Sequence, residues 1–211
     1  MKKLAVVLAM ACFSGMAWGQ AGELWFNFGE SILSNAGIGT TAPSVFGTSE
    51  GTPNDITLSN GYRFSFRFNF NVGDHYGAEV GYAFNHMDMN FNSAAAAGLQ
   101  SSTPLQLAMH MHQGTFNALY YPFTADKSRV RPFVTAGVQF DNFVPPGGQS
   151  FSGSTKFGAN FGGGVKVHIH GIWAARLDVR EYVMPKPNFG FSLTSGALWQ
   201  TEVSAGVGIG F

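Results

Sequence analysis

Between Tyr62 and Val72 apolar and polar side chains alternate without a break. Tyr62, Phe64, Phe66, Phe68, Phe70 and Val72 take the even positions, and Arg63, Ser65, Arg67, Asn69 and Asn71 the odd ones. A period of two is that of a β-strand, whose successive side chains point to opposite faces. The last segment repeats it: Trp199, Thr201, Val203, Ala205, Val207, Ile209 and Phe211 alternate with Gln200, Glu202, Ser204, Gly206, Gly208 and Gly210. Six further strands fit the same rule. They are 22–29 (Leu24, Phe26, Phe28 on the apolar face), 74–84 (Tyr76, Ala78, Val80, Tyr82, Phe84) and 114–120 (Phe116, Ala118, Tyr120), then 132–140 (Val134, Ala136, Val138, Phe140), 157–167 (Phe157, Ala159, Phe161, Val165, Val167) and 172–182 (Trp173, Ala175, Leu177, Val179). The prediction is an all-β chain of eight antiparallel strands.

The connections alternate in length. Tight turns fall at Gly73-Asp74 and His170-Gly171, with Phe123 to Val130 the longest of the short set. Gly-, Pro- and Ser-rich loops occupy Ser31 to Thr57, Ser93 to Pro104, Val144 to Thr155 and Val183 to Leu198. Short turns at one end and long loops at the other are the asymmetry of a membrane-spanning up-and-down barrel. A turn centred on Asp74 sets Phe70 opposite Ala78 and Phe66 opposite Tyr82. One centred on Leu99 sets Tyr82 opposite Phe116 and His86 opposite His112. Outward positions stay outward across both ladders, as a common face requires.

Composition supplies the solvent. Charged residues are 11% of the 211, less than half the roughly 25% usual in soluble domains, while aromatics reach 15%. Twelve basic and twelve acidic residues cancel, which leaves no cationic footprint for nucleic acid. No segment supplies the ~20 apolar residues of a membrane helix, so a spanning chain must close its sheet to satisfy every backbone group. Met1-Lys2-Lys3, the apolar run Leu4 to Phe13 and the small-x-small end Ala17-Trp18-Gly19 predict a cleaved signal peptide over residues 1–19, with the barrel domain over 20–211. Cys12, the single cysteine, lies within that leader.

If the phenylalanine face meets lipid, the opposite face lines the lumen. It gathers Arg63, Arg67, Lys166, Arg176 and Arg180 with Glu23, Glu79, Asp178 and Glu202, and the lipid face of the drawn strands is expected to carry no charge. Five cations against four anions fit an ion-paired plug; an ion-conducting or catalytic role is the alternative. Gly77, Gly81, Gly137, Gly158, Gly162, Gly164, Gly206, Gly208 and Gly210 on that face are expected to make room for the arginines, since eight strands leave an interior only side chains wide.

His86-Met87-Asp88-Met89 and Met109-His110-Met111-His112 stand apart. Facing each other across one hairpin, His86, Asp88, His110 and His112 form a candidate zinc, nickel or copper site. The competing reading is a hairpin packed above the membrane by Leu105, Leu107, Met109 and Met111. Unbroken alternation would turn these histidines outward and the methionines inward, the reverse of the lower barrel unless both strands bulge. No Gly-x-Ser-x-Gly, His-Glu-x-x-His, phosphate loop or dinucleotide fingerprint occurs. His86, His110, Asp88 and Ser93 are the residues a lipid-A-modifying activity would draw on.

Gly77-Ala78-Glu79-Val80-Gly81-Tyr82, Arg131-Pro132-Phe133-Val134-Thr135-Ala136-Gly137-Val138, Phe161-Gly162-Gly163-Gly164-Val165 and Ala175-Arg176-Leu177-Asp178-Val179-Arg180-Glu181-Tyr182, with the C-terminal strand, resemble the small outer-membrane β-barrel family that includes OmpA- and OmpX-type transmembrane domains. The resemblance implies a Gram-negative outer membrane, with lipid and lipopolysaccharide as surroundings and a monomeric barrel. It also implies that Val207, Ile209 and Phe211 form the signal read by the barrel-assembly machinery. Neither a cofactor nor catalysis is expected. The resulting expectation is a non-enzymatic barrel whose external loops serve surface interaction or membrane integrity. The alternatives are a narrow channel or transporter, and a soluble lipocalin-like carrier with its apolar faces turned inward.

Overall fold

The computed structural model describes residues 22–40, 56–91, 105–123, 129–145, 153–189, 192–193 and 195–210. The predicted leader, Ser93 and Phe211 lie outside them. Eight long strands carry the fold: β1 (Gly22–Ser34), β4 (Gly61–Val72), β5 (Tyr76–Phe91), β6 (Leu105–Tyr120), β7 (Val130–Val144), β8 (Ser154–His170), β9 (Trp173–Pro185) and β11 (Ala197–Gly210). Each pairs antiparallel with two neighbours, and β11 returns to β1, so the sheet closes. Three short strands, β2 (Gly37–Thr40), β3 (Ile56–Leu58) and β10 (Ser192–Leu193), add a flap at the long-loop end, where β3 pairs with the top of β5. They fall inside two segments read from sequence as loops. Two to four residues carry too little alternation to announce a strand.

The ladder fixes the shape. Stepping from Gly22 through Phe70, Ala78, Ala118, Ala136, Phe161, Glu181 and Thr201 leads back to β1 at Ile32, ten residues above the start. Eight strands with that stagger tilt by about 40° and leave an interior that side chains fill. Gly73 (φ 62°) and Gly171 (φ 59°) make the two tight turns, in a left-handed conformation that costs glycine least.

The faces separate sharply. On β9, Val179 is 57% exposed while its neighbours Asp178 and Arg180 are 1% exposed. Phe26, Phe28, Phe64, Phe66, Val80, Phe116, Val134, Val138, Phe161, Leu177 and Val207 all stand outward. A central apolar core, as a lipocalin-like carrier would have, is therefore not the arrangement at this level. Above Phe84 the chemistry of the two faces is exchanged while the geometry continues. His86, Asp88 and Asn90 point out, and Met87, Met89 and Phe91 point in. Across the hairpin Met109 and Met111 are buried, and they join Phe143, Met184, Leu198, Ile38, Ile56 and Phe189 in an apolar core inside the upper barrel. The β4–β5 and β5–β6 ladders carry no bulge. The solvent outside changes from hydrocarbon to water, so polar groups move outward and apolar ones inward without any slip of register.

Three expectations need correction. The β5–β6 ladder lies two residues from the register of a Leu99-centred turn, so Tyr82 faces Gly114, His86 faces His110, and Phe84 faces His112. A two-residue shift leaves every side chain on its face, which is why alternation did not reveal it. Second, the outer face of one drawn strand carries a carboxylate, Glu181, while Glu30 and Asp88 point outward beyond the drawn ends of theirs. Glu181 lies on β9 about 20 Å above Trp173, near the top of an apolar band ~25 Å tall, where an acidic side chain costs little. There its Oε2 accepts the Thr201 hydroxyl at 2.7 Å. Third, the small lumenal residues accommodate rings as well as arginines. A Cβ on Gly208 would fall 2.5 Å from the Trp25 ring and one on Gly164 2.8 Å from Phe133, whereas at Gly162 the neighbour is Arg180.

Gly208→Val should accordingly overpack the lower lumen by about 1–3 kcal/mol. The folded band on unheated SDS gels should then convert to the unfolded one at lower temperature than the native chain's. An unchanged transition would mean that the Trp25 contact is not a constraint.

Candidate functional site

The lumen is organised in tiers along the barrel axis. At the short-turn end Lys166 is paired with Glu23, and its Nζ donates to the Tyr121 hydroxyl at 2.7 Å. Asn71 Nδ2 and Trp25 Nε1 each donate to Glu23 at 2.8 Å. The Tyr121, Trp25 and Phe133 rings stand within 4.9–5.7 Å of the ammonium, and Arg131 stacks on the outer side of Tyr121 at 3.6 Å. Cation–ring contacts of this kind favour a charge held with little water.

The waist follows. Glu79 receives Arg180 Nη1 at 2.7 Å and Arg176 Nη2 at 2.9 Å; Asp178 receives Arg176 Nε at 2.6 Å, Arg67 Nη1 at 2.9 Å and Arg180 Nη2 at 3.0 Å. Asn69 joins the first two tiers in the amide orientation its neighbours require. Its oxygen accepts from Lys166 Nζ (2.9 Å) and Arg176 Nη1 (3.1 Å), and its nitrogen donates to Glu79 (2.9 Å). Above, Glu202 is shared by Arg63 at 3.1 Å, by Arg67 and by the Tyr182 hydroxyl at 2.6 Å. All nine charged lumenal residues named from sequence are in this network, each with at least one opposite charge. β4, β5, β9 and β11 supply the waist and upper tier, so the pairs cross-link strands that are distant in the chain.

Alternation also places residues that the sequence reading passed over. Asp141, one position past the drawn end of its strand, is buried and accepts from Gln113 and Gln139. Tyr182, Asn85 and Gln200 close the polar column, with Asn85 Oδ1 receiving Arg63 at 3.0 Å and Gln200 at 3.2 Å. Extending each strand by two residues would have found Asp141. The aromatic partners of Lys166 come together only through the fold. At the opposite end Lys186 donates to Gly37 O at 2.6 Å and Asn35 Oδ1 at 3.2 Å, and burial lowers its pKa from the ordinary lysine value.

The four candidate metal ligands do not converge. His86 Nδ1 and His110 Nδ1 are 3.1 Å apart on the outer face, but His112 lies two residues lower, opposite Phe84, with its Nδ1 2.7 Å from the Tyr82 hydroxyl. Asp88, opposite Ala108, accepts from Gln106 at 2.7 Å. Among the described residues no three His, Cys, Asp or Glu side chains form a metal-sized cluster. Val207 and Ile209 point outward on β11 beside Phe26 and Leu24.

A closed barrel with an apolar exterior, a charged interior and a polar outer rim is an integral outer-membrane protein. The sequence profile of the outer membrane protein beta-barrel domain matches residues 5–211, and the chain belongs to that family. Among solved structures it is similar to Neisserial surface protein A, NspA (TM-score 0.59, 16% identity, 92% of this chain and 99% of that one), and to OprG from Pseudomonas aeruginosa (0.58, 16%, 91% and 97%). It is also similar to AlkL as determined in DMPC lipid bilayers (0.52, 14%, 90% of each). These likenesses are of fold. No curated protein sequence matches the chain.

Removing one partner from such a network leaves a buried charge uncompensated, at a cost of about 3–5 kcal/mol. Arg67→Met should lower the stability of the vesicle-inserted barrel to urea by that amount. Arg67→Met combined with Glu202→Gln should cost less than the two single changes together, by about 0.5–3 kcal/mol. Single variants within 0.5 kcal/mol of the native protein would show that the tiers are not energetically coupled.

Proposed function

We propose that the chain is a closed, non-enzymatic outer-membrane barrel that acts through its extracellular end, in surface interaction or in the integrity of the membrane. The observation that carries this reading is the filled lumen. Ion-paired tiers occupy the waist and an apolar core of Met87, Met109, Met111, Phe143 and Met184 lies on top of them. Among the described residues these side chains meet across the lumen and occupy the space a passage or a cleft would need. The length of the strands supports it further. β5 and β6 have 16 residues each and β8 has 17, against the 9–11 that cross a bilayer. The excess stands above the membrane, where β2, β3 and β10 are added.

Its surroundings in this reading are outer-membrane lipid and lipopolysaccharide. It is exported through the cleaved leader, assembled by recognition of the Val207–Ile209–Phe211 strand, and works as a monomer with no cofactor. A narrow-channel reading draws on one observation: the lumenal amides of Asn27 and Asn160 have no protein hydrogen-bond partner, the kind of group that holds ordered water.

Planar-bilayer recording separates the two. The native chain should give no stable unitary current, and a stable conductance altered by Arg67→Ala would replace this reading with the channel. Cysteine placed at Gln106 should react with a membrane-impermeant maleimide on intact cells and cysteine at Asp74 should not; the reverse would invert the barrel and remove the surface role.

A further inference from the structure

We propose that His86 and His110 form a divalent-metal site on the outer wall of the barrel, at the level where the apolar band ends. The two residues face each other directly across the β5–β6 ladder, and their Nδ1 atoms are 3.1 Å apart. Two imidazole nitrogens 2.0–2.1 Å from one metal ion are about 2.9 Å apart in adjacent corners of a square and about 3.3 Å apart in a tetrahedron. The observed separation lies between these values. The same pair therefore suits square-planar Cu(II) or tetrahedral Zn(II) after a shift of a few tenths of an ångström. On metal binding the proton of the Nδ1–H···Nδ1 contact passes through solvent to Nε2 of the same ring, which frees both Nδ1 lone pairs, and water completes the coordination.

The rings are already held. Tyr62 stacks on His86 (centroids 5.0 Å, planes 26° apart), and Phe84 lies 5.1 Å from His110. Both strands are in continuous ladder, so fixing the imidazoles in the binding geometry costs little further ordering. The electrostatic setting favours a cation. Asp88 stands two residues above His86 on the same face, and the outward neighbours on the flanking strands, Tyr62, Phe64, Asn142 and Val144, are uncharged. The ten residues from Tyr76 to His86 rise by about 25 Å along a tilted strand, which sets the pair at the boundary between hydrocarbon and water, within reach of metal in the medium. His112 is engaged by Tyr82 and is not a ligand.

The site differs from the four-residue candidate in its ligand set, and it does not depend on the proposed surface role. Cu(II) should bind more tightly than Zn(II), as nitrogen ligands dictate. The test uses the untagged chain refolded in detergent micelles, with His168→Ala and His170→Ala in the background to remove the exposed pair at the other end. Calorimetric titration with CuCl2 and ZnCl2 should give one ion per chain. His86→Ala and His110→Ala should each weaken binding at least tenfold, and His112→Ala should leave it unchanged. Electron paramagnetic resonance of the copper form should show coupling to two imidazole nitrogens, reduced to one in either variant. Heat-modifiable migration of each variant checks that its barrel is intact. Absence of a saturable single site, equal affinity after His86→Ala or His110→Ala, or an equal loss with His112→Ala would each overturn the proposal.

Discussion

Hydrocarbon has no hydrogen-bonding partner for a peptide group, and the closed ladder is the response from which everything else in this barrel follows. Eight strands joined edge to edge satisfy their backbone groups among themselves. Closure with a ten-residue stagger then assigns each side chain, by position alone, to lipid or to lumen. Because a strand has no third face, the charges required somewhere in the sequence must go inward. A lumen one or two side chains wide admits them only if they neutralise one another. The crowding of Arg63, Arg67, Arg176 and Arg180 against Glu79, Asp178 and Glu202 is thus a consequence of the wall rather than an independent design.

The same parity rule explains the upper barrel, where a change of solvent rather than of geometry does the work. Phe84 and His86 occupy equivalent outward positions two residues apart, and Asn85 and Met87 equivalent inward ones. Between them the outside turns from hydrocarbon to water. Polar Asn85 belongs to the lumenal column under the hydrocarbon belt, and Met87 to the apolar core of a sheet that projects into water. β6 repeats the exchange between Gln113 and Met111, and β7 between Asp141 and Phe143. The crossing points on β5, β6 and β7 lie at neighbouring rungs of the ladder. His86 and His110 sit at that level of β5 and β6, where imidazole suits both a stacked aromatic contact and a hydrated edge.

Much of this was legible in the chain, for a physical reason. Parity survives every error that preserves a period of two. The inward set from Glu23 to Glu202 could be read without knowing a single contact, and so could the outward phenylalanines. What parity cannot resolve is position along the strand. The β5–β6 register differs by two residues from that of a turn centred on Leu99, and a shift of two moves no side chain from face to face, so alternation alone does not detect it. The consequence fell entirely on partner identity: His86 meets His110 rather than His112, which dissolves a four-ligand cluster and leaves a two-nitrogen pair. Asp141 lies one residue beyond the predicted strand end at Phe140, on a strand that continues to Val144. The reversal of polarity at Phe84 is visible in the chain, and it reads as a fault in the alternation only if one medium surrounds the whole strand.

The tiers also bear on why so polar an interior is tolerated. Ion pairs sealed from water seldom add net stability over an apolar core of equal volume, because each charge first loses its hydration. An apolar lumen, however, would leave the exported chain apolar on both faces of every strand, with no parity to distinguish the lipid side from the lumen and no penalty for a one-residue slip. Charges on alternate residues make such a slip prohibitive, since it would place Arg67, Glu79 or Arg180 in hydrocarbon at about 2–4 kcal/mol for each cation at mid-depth. The network's contribution is therefore to register. It makes one pairing of the ladder far better than its neighbours, and the glycines opposite Trp25, Phe133 and Arg180 are the space that this single pairing requires.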